Sequence, residues 1–422
     1  KVTGYDKTPS PLTLKLEEEG ILIHYEDNPE LIPDNVDLVI LTPAIPRDSL
    51  ELEFLRNKNV RIIKRAEVLG EISRHCKSVA VGGTHGKTTV TALTTHLLNF
   101  AGKKMSAFVG GIAKNINSNV IIGDENDEVV VMEADEFDRS FLQLTPYISI
   151  VTSIDADHLD IYGDFEHVLE AFREFASQVS EAVILKYGLP LRKTDIGAKV
   201  FTYHFDDSRA DFHSSNLRLD DSGHYTYDLI YPGGTLKDIR VGALGWINVE
   251  NSIAAAAICL CYGMDGQKVR HAIGSFEGAK RRLDLQLSKD GITYIDDYAH
   301  HPAELAGAIS SVRQIFPGRR ITGIFQPHLY TRTRDFAAEF AESLSGLDKL
   351  ILLDIYPARE LPIEGVSSEI IFKDVKAAQK VLLRRDQLMD YLAEEDVDVL
   401  LTLGAGDIDR FIGPIKEMLS KR

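Results

Sequence analysis

With 422 residues the chain is too long for one ordinary core, so two or three domains are expected. Its 44% apolar content is that of a water-soluble globular protein, and no apolar run approaches the roughly 18 residues that a bilayer-spanning helix needs. A formal charge of −17 disfavours nonspecific binding to nucleic acid or anionic membranes, and Cys76, Cys259 and Cys261 form no CxxC pair, which suits a reducing compartment better than a disulfide framework.

Residues 1–6 read as a strand closing on the carboxylate of Asp6, not as the start of a domain, so further sequence is expected upstream of Lys1. Residues 12–19 carry a helical pattern, while residues 36–41 and 60–63 read as strands. This alternation predicts a small α/β unit over residues 1–76. A ligand site is expected where the strand 36–41 ends, at Thr42-Pro43-Ala44-Ile45, against the plainer reading of a proline-stiffened turn.

The stretch 78–89 is the most informative. Ser78-Val79-Ala80-Val81 reads as a strand, Gly82-Gly83-Thr84-His85-Gly86 as a flexible turn, and Lys87-Thr88-Thr89 as the opening of a helix that runs to about residue 100. Backbone N–H groups at such a turn and helix N-terminus point at a phosphate, a lysine adds positive charge, and a threonine hydroxyl reaches a magnesium ion. Val81 stands where the strict phosphate-loop pattern has glycine, and His85 is a polar residue inside a tight turn, which favours a ligand-facing surface over a packed one.

Two strands of the same region end in acids. Residues 128–132 lead into Glu133-Ala134-Asp135-Glu136, and residues 147–152 lead into Ser153-Ile154-Asp155-Ala156-Asp157-His158-Leu159-Asp160. Carboxylates at the carboxyl ends of strands beside a phosphate loop are where Mg²⁺ ligands belong; the plainer alternative is a helix cap with solvated acids. A helix over 165–179, a strand over 182–185, an antiparallel insertion over 203–231 and a buried helix over 248–261 complete the region. Lys280-Arg281-Arg282 is a basic cluster in an acidic chain.

From residue 284 the alternation restarts, with strands at 292–295, 320–325 and 349–353 and helices at 301–312 and 334–344, continuing to residue 419 as a doubly wound α/β domain. Asp296-Asp297-Tyr298-Ala299-His300-His301-Pro302 lies at a strand end. Adjacent ligands seldom both reach a tetrahedral zinc, so nucleotide or substrate contact is expected there. His328, Tyr330, Arg332 and Arg334 follow the strand 320–325, where an arginine can clamp a carboxylate or phosphate or form a structural ion pair.

In this order, and over nearly the whole chain, these motifs resemble the Mur ligase family. The resemblance is carried by Gly83-Thr84-His85-Gly86-Lys87-Thr88-Thr89, Glu133-Ala134-Asp135-Glu136, Asp157-His158-Leu159-Asp160 and Asn248-Val249-Glu250-Asn251. It continues through Phe276-Glu277-Gly278-Ala279-Lys280-Arg281-Arg282, Asp296-Asp297-Tyr298-Ala299-His300-His301-Pro302, Phe325-Gln326-Pro327-His328 with Tyr330-Thr331-Arg332-Thr333-Arg334, and Tyr356-Pro357-Ala358-Arg359-Glu360. The resemblance implies three α/β domains: a Rossmann-like UDP-sugar domain over 1–76, incomplete at its start, a central P-loop ATPase domain over 77–283, and a Rossmann-like amino-acid domain over 284–422. It also implies a glycine-rich strand and turn for UDP ahead of Lys1.

Within the family the pattern lies nearest the branch that joins L-alanine to the lactyl carboxylate of UDP-N-acetylmuramate, with ATP and Mg²⁺, through an acyl phosphate, in peptidoglycan precursor synthesis. Residues 165–180 hold no lysine, whereas later-acting branches use a carbamylated lysine there. Leu329 departs from the arginine that the family often has. The nearest rival branch attaches an intact tripeptide to the same sugar.

The roles implied by the resemblance are these. Lys87, His158, Arg282 and Asp297 are catalytic. Gly83, Thr84, His85, Gly86, Thr88, Thr89, Asn248, Asn251 and His300 join Lys87, Arg282 and Asp297 around ATP, and Thr88, Glu133 and His158 hold Mg²⁺. His328, Tyr330 and Arg332 or Arg334 take L-alanine, while Asp6, Thr42, Pro43 and Ala44 contact the UDP-sugar. The resemblance further implies a bacterial cytoplasmic enzyme, monomer or weak homodimer, without nucleic acid or membrane insertion.

Overall fold

The computed structural model describes residues 1–422 apart from Pro43, Glu125, Asp157, His158 and Arg359, and apart from the side chains of Pro11, Asp138, Leu159 and Asp160. It divides into two units, Lys1–His75 and Cys76–Arg422.

In the first unit β1 (Thr3–Tyr5) pairs in parallel with β2 (Leu22–His24), and β3 (Leu38–Leu41) with β4 (Arg61–Lys64). The helix Pro11–Glu18 starts where Ser10 and Thr13 exchange side-chain and backbone hydrogen bonds, with proline at a first-turn position that needs no donor. The helix Leu50–Asn57 starts at Ser49, whose hydroxyl accepts from the Leu52 N–H, and it buries Leu52 and Leu55. Asp6 follows β1 and accepts from the Thr8 N–H at 3.0 Å. Thr42 and Ala44 follow β3, with the Ile45 N–H closing a turn onto the Thr42 carbonyl at 3.2 Å. Pro43 lies outside the described residues.

The second unit is built on a ten-stranded sheet among the described residues. Its strands are β5 (Lys77–Gly82), β6 (Met105–Ala113), β7 (Ser118–Ile121), β8 (Val129–Ala134), β9 (Ile148–Val151), β10 (Ala182–Lys186), β11 (Lys199–His204), β12 (Phe212–Leu219), β13 (Tyr225–Tyr231) and β14 (Gly234–Arg240). In space they run β14-β13-β12-β11-β10-β9-β5-β8-β6-β7. β5 lies between β8 and β9 and is parallel to both, so the carboxyl ends of three strands from separate parts of the sequence meet at one point, where ligands bind in open α/β sheets.

Against this sheet the helix Lys87–Phe100 packs with the helix Trp246–Cys261. Ala254, Ala255, Ala256 and Ala257 are fully buried and let the two helices approach closely, while Leu93, Leu97 and Ile258 fill the core. Burying side chains of that size contributes roughly 1.5–3 kcal/mol each.

The antiparallel piece differs from the expected 203–231. Tyr203 belongs to β11, which runs parallel to β10, and the antiparallel meander is β12-β13-β14. It continues the sheet through a two-residue parallel pairing, Tyr203↔Phe212 and His204↔His213. The cause is packing: Tyr203, Phe212, Tyr225, Tyr227 and Leu229 all enter the main core, which the polar composition of the stretch conceals.

A six-stranded sheet follows, ordered β15-β16-β20-β17-β18-β19, from β15 (Asp284–Lys289), β16 (Ile292–Asp297), β17 (Ile321–Phe325), β18 (Lys349–Leu353), β19 (Gln379–Leu383) and β20 (Val399–Leu403). Only β15 is antiparallel to its neighbour among the described residues. It is an element that the sequence reading passed over, although Asp290 and Gly291, both at positive φ, are the Asp-Gly pair of a tight hairpin.

Candidate active site

The turn after β5 has the shape that its sequence predicts. Gly83 has φ +132°, and a Cβ there would lie 2.1 Å from Thr152 Oγ1 and 2.8 Å from the Ser153 nitrogen, so only glycine fits. Gly86, at φ +84°, caps the helix Lys87–Phe100 without any side-chain hydrogen bond, which leaves the first-turn N–H groups for an anion. The end of β9 braces the loop: the Thr84 N–H donates to the Ser153 carbonyl at 3.2 Å, the His85 N–H to Ser153 Oγ at 2.7 Å, and Thr84 Oγ1 to Asp155 at 2.9 Å.

Lys87 Nζ donates to the Gly83 carbonyl at 2.7 Å and to Glu136 Oε2 at 2.6 Å. Burial opposes the charge of this lysine, yet the carboxylates of Glu136, Asp135 and Glu133 hold its ammonium above the usual range. Thr88 Oγ1 donates to Glu133 Oε1 at 3.1 Å, and the Gly110 N–H donates to Glu133 Oε2 at 2.8 Å. A Cβ at Gly110 would stand 2.4 Å from that carboxylate, so the Gly110-Gly111 pair inside β6 lets the strand pass beside Glu133.

Thr88 and Glu133 together offer the hard oxygen donors that suit Mg²⁺, an ion bound by one or two carboxylates with waters and phosphate oxygens completing its shell. Among the described residues no cluster of three or more His, Cys, Asp or Glu side chains is placed to hold a metal ion. His158 lies outside the described residues.

A cleft of about 800 Å³ opens over this loop, lined on one side by Thr84, His85, Lys87, Thr88, Glu133 and Glu136 and on the other by Lys280, Arg281, Arg282, Tyr298, His300 and Glu304. A smaller cavity of about 130 Å³ adjoins it, with His85, Gly86, Thr89, Asn248, Asn251, Arg282 and Asp297 in its wall. Asn248 donates to the Leu244 carbonyl at 2.7 Å and accepts from Asn251 at 3.1 Å, which fixes the asparagine pair next to Gly86. Arg281 and Arg282 lie 5.2 and 5.0 Å from the Tyr298 ring centroid, within cation–π range. Arg281 also pairs with buried Asp296 at 3.1 Å, so Arg282 is the one of the two that faces the smaller cavity.

Both oxygens of Asp297 are taken by backbone N–H groups, of Leu283 and of Ala299, each at 2.7 Å. Burial pushes this carboxyl up to about 6, and burial pushes the His300 imidazole down to about 4. The two shifts act oppositely on stability. Between the ordinary value of 3.8 and about 6, folded Asp297 keeps a proton that the unfolded chain releases, so its contribution is lost as pH rises. Between about 4 and the ordinary value of 6.5, folded His300 lacks a proton that the unfolded chain binds, so its contribution grows as pH rises. In thermal melts from pH 4 to 6, Asp297→Asn is therefore expected to gain stability with pH relative to wild type, and His300→Asn to lose it. Parallel profiles for all three proteins would show that neither group is shifted.

The residues predicted for the amino acid form a separate group that meets the cleft through His300, whose ring lies 6.1 Å from that of His328. Leu329, at φ +71°, turns the chain into the short helix Tyr330–Asp335. Arg334 forms a two-pronged pair with neighbouring Asp335, at 2.7 and 3.1 Å, whereas the charge of Arg332 acts on His300. Of the two arginines, Arg332 is the one whose charge reaches His300 in the cleft wall. Glu136, Gly110, Tyr298 and Glu304 complete the site; Glu136 and Tyr298 belong to motifs expected to hold metal or contact nucleotide, whereas Gly110 and Glu304 were given no role from sequence, and the glycine pair inside an apolar strand was the signal available for Gly110.

A glycine-rich loop at a strand switch point, an uncapped helix N-terminus, a lysine and an acid–hydroxyl pair define a P-loop nucleotide-binding protein made of mixed α/β domains. Three family profiles match successive parts of it: the Mur ligase family catalytic domain over residues 1–77, the Mur ligase middle domain over 81–259, and the Mur ligase glutamate ligase domain over 281–406. The chain belongs to the Mur ligase family.

Two similar proteins are the UDP-N-acetylmuramate–L-alanine ligases of Parabacteroides distasonis, 47% identical over 431 residues that span 100% of this chain and 92% of that one, and of Porphyromonas gingivalis, 46% identical over 99% and 93%. Among solved structures, the UDP-N-acetylmuramate-alanine ligase of Thermotoga maritima superposes with a TM-score of 0.84 at 25% identity, covering 100% of this chain and 94% of that one. A murein peptide ligase from Psychrobacter arcticus shares the fold with a TM-score of 0.71 at 20% identity, covering 100% and 93%.

Proposed function

We propose that this chain joins L-alanine to the lactyl carboxylate of UDP-N-acetylmuramate, converting ATP to ADP and phosphate, in peptidoglycan precursor synthesis. The observation that carries this reading is the 47% identity, across the whole chain, to a ligase of that name. The absence of lysine from residues 165–180 supports it against the later-acting branches.

A free carboxylate resists attack by an amine because it is anionic and has a poor leaving group. Transfer of the γ-phosphoryl group to a carboxylate oxygen removes both obstacles and releases ADP. The amine of L-alanine then adds to the acyl carbon, and phosphate departs with the oxygen that it gained. The protein's work is positioning and charge neutralisation.

The backbone N–H groups at the start of the helix, from Gly86 to Thr88, receive the phosphates, and Lys87 exchanges Glu136 for the phosphate oxygens. Thr88 and Glu133, with His158, hold Mg²⁺, which offsets phosphate charge when bound. Arg282 reaches the phosphates from the opposite wall, Asn248 and Asn251 face the adenine, and Asp297 with His300 shapes the nucleotide side of the C-terminal wall. His328, Tyr330 and Arg332 take L-alanine, with Arg334 committed to Asp335. Asp6, Thr42, Pro43 and Ala44 contact the UDP-sugar.

The partition into 1–76, 77–283 and 284–422 goes with this assignment, as does a monomer or weak homodimer in the bacterial cytoplasm without nucleic acid. Among the described residues no helix is long and apolar enough to cross a membrane. The assignment is tested by ligation. With UDP-N-acetylmuramate, ATP and Mg²⁺, phosphate release is expected to be fastest with L-alanine, slower with glycine and L-serine, and slowest with a tripeptide. Release that favours the tripeptide would sink the assignment.

A further inference from the structure

We propose that Glu304 is a positioning residue that ties the phosphate loop to the C-terminal sheet and sets the His85 imidazole and the Arg282 guanidinium between them, an inference that rests on the ligase reading above. Glu304 stands in the first turn of the helix Pro302–Ile315. One oxygen, Oε2, accepts the backbone N–H groups of His300 at 3.0 Å and His301 at 3.3 Å, which is all that a helix cap requires. The other, Oε1, is turned outward. It lies 3.3 Å from His85 Nδ1 in the phosphate loop and 4.0 Å from Arg282 Nη1 in the segment that leads into the second sheet.

Burial alone would raise this carboxyl, but the His300 and His85 rings and the Arg282 guanidinium hold it well below the usual carboxylate range. A capping acid with no further role has no reason to be placed in the walls of both cavities, where among the described residues it is the carboxylate shared between them. Near an incoming triphosphate a bare carboxylate is repulsive, and it is tolerated where N–H donors and a guanidinium stand in front of it. His85 and Arg282 occupy that position. On its far side His85 meets Asp155 at 3.3 Å, so the ring is held between an acid following β9 and an acid of the C-terminal region. Glu304 thereby fixes where His85 and Arg282 present their N–H groups, and it makes the loop's geometry depend on the placement of the helix Pro302–Ile315.

The test is a double-mutant cycle in the full chain with Glu304→Gln, His85→Ala and the pair combined. Glutamine keeps an oxygen for the cap and removes the charge, so the melting temperature is expected to stay near that of wild type. The affinity for a non-hydrolysable ATP analogue, read by titration, is expected to fall about tenfold in each single variant and no further in the double. In the ligation assay the single variants are expected to raise KM for ATP more than they lower kcat. Wild-type affinity in Glu304→Gln, or losses that multiply in the double variant, would overturn the proposal. A wild-type protein that binds the analogue without ligating L-alanine would instead overturn the ligase reading, and the binding cycle would still decide the role of Glu304.

Discussion

Lys87→Ala is expected to lose about 10³-fold or more in turnover, with acyl-phosphate formation as the failed step. Lys87 is the one lysine within the phosphate loop, and its ammonium already sits between the Gly83 carbonyl and Glu136 at 2.7 and 2.6 Å. The transferring phosphoryl group spreads negative charge over its oxygens, and no other side chain of the loop supplies a permanent cation there. The substitution has a second consequence. Glu136 is 2% exposed, and breaking this buried ion pair by removing the ammonium costs about 3–5 kcal/mol, so the variant also melts earlier. Lys87→Ala combined with Glu136→Gln separates the two effects: stability returns in large part, and activity does not. Recovery of turnover along with stability would show that Lys87 acts only as a structural cation.

Gly83→Ala is expected to cost at least about 10²-fold in turnover, the scale set by a displacement of about 1 Å at the reacting groups. At φ +132° an alanine is strained, and its Cβ would overlap Thr152 Oγ1 at 2.1 Å and press on two backbone nitrogens, at 2.8 and 2.9 Å. Backbone atoms just past the end of β9 cannot swing aside as a flexible side chain would. The loop must therefore leave the strand end, losing the hydrogen bonds from the Thr84 and His85 nitrogens to Ser153. Gly102→Ala is the matched control: φ is +77° with nothing within 4 Å of the new Cβ, so stability drops modestly and turnover is kept. Equal turnover in both variants would contradict the loop geometry.

The loop was legible because its chemistry is local: strand, glycines, lysine and helix lie within residues 78–100. The acidic ends of β8 and β9 were legible as strand ends, and parallel pairing with β5 brings both to the loop. Partnerships between distant residues were not. Lys87 and Glu136 are 49 positions apart, and His85 and Glu304 are 219 apart, so nothing in the local pattern marks either pair. Asp297 reads in the sequence as a strand-end acid placed for nucleotide or substrate contact, while in the fold its oxygens tie down the nitrogens of Leu283 and Ala299. The Arg334–Asp335 pairing, which supports Arg332 in the proposed amino-acid site, is a side-chain preference that spacing does not express. The β15–β16 hairpin was legible in Asp290-Gly291 and its flanking alternation.

The most direct measurement uses UDP-N-acetylmuramate labelled with ¹⁸O in its lactyl carboxylate, together with ATP, Mg²⁺ and L-alanine. If an acyl phosphate forms and is displaced by the amine, each phosphate released carries one ¹⁸O, and an equal amount of amide-linked L-alanine product accumulates. Unlabelled phosphate would mean that ATP is hydrolysed by water without activating the carboxylate, and the proposed ligation would be wrong.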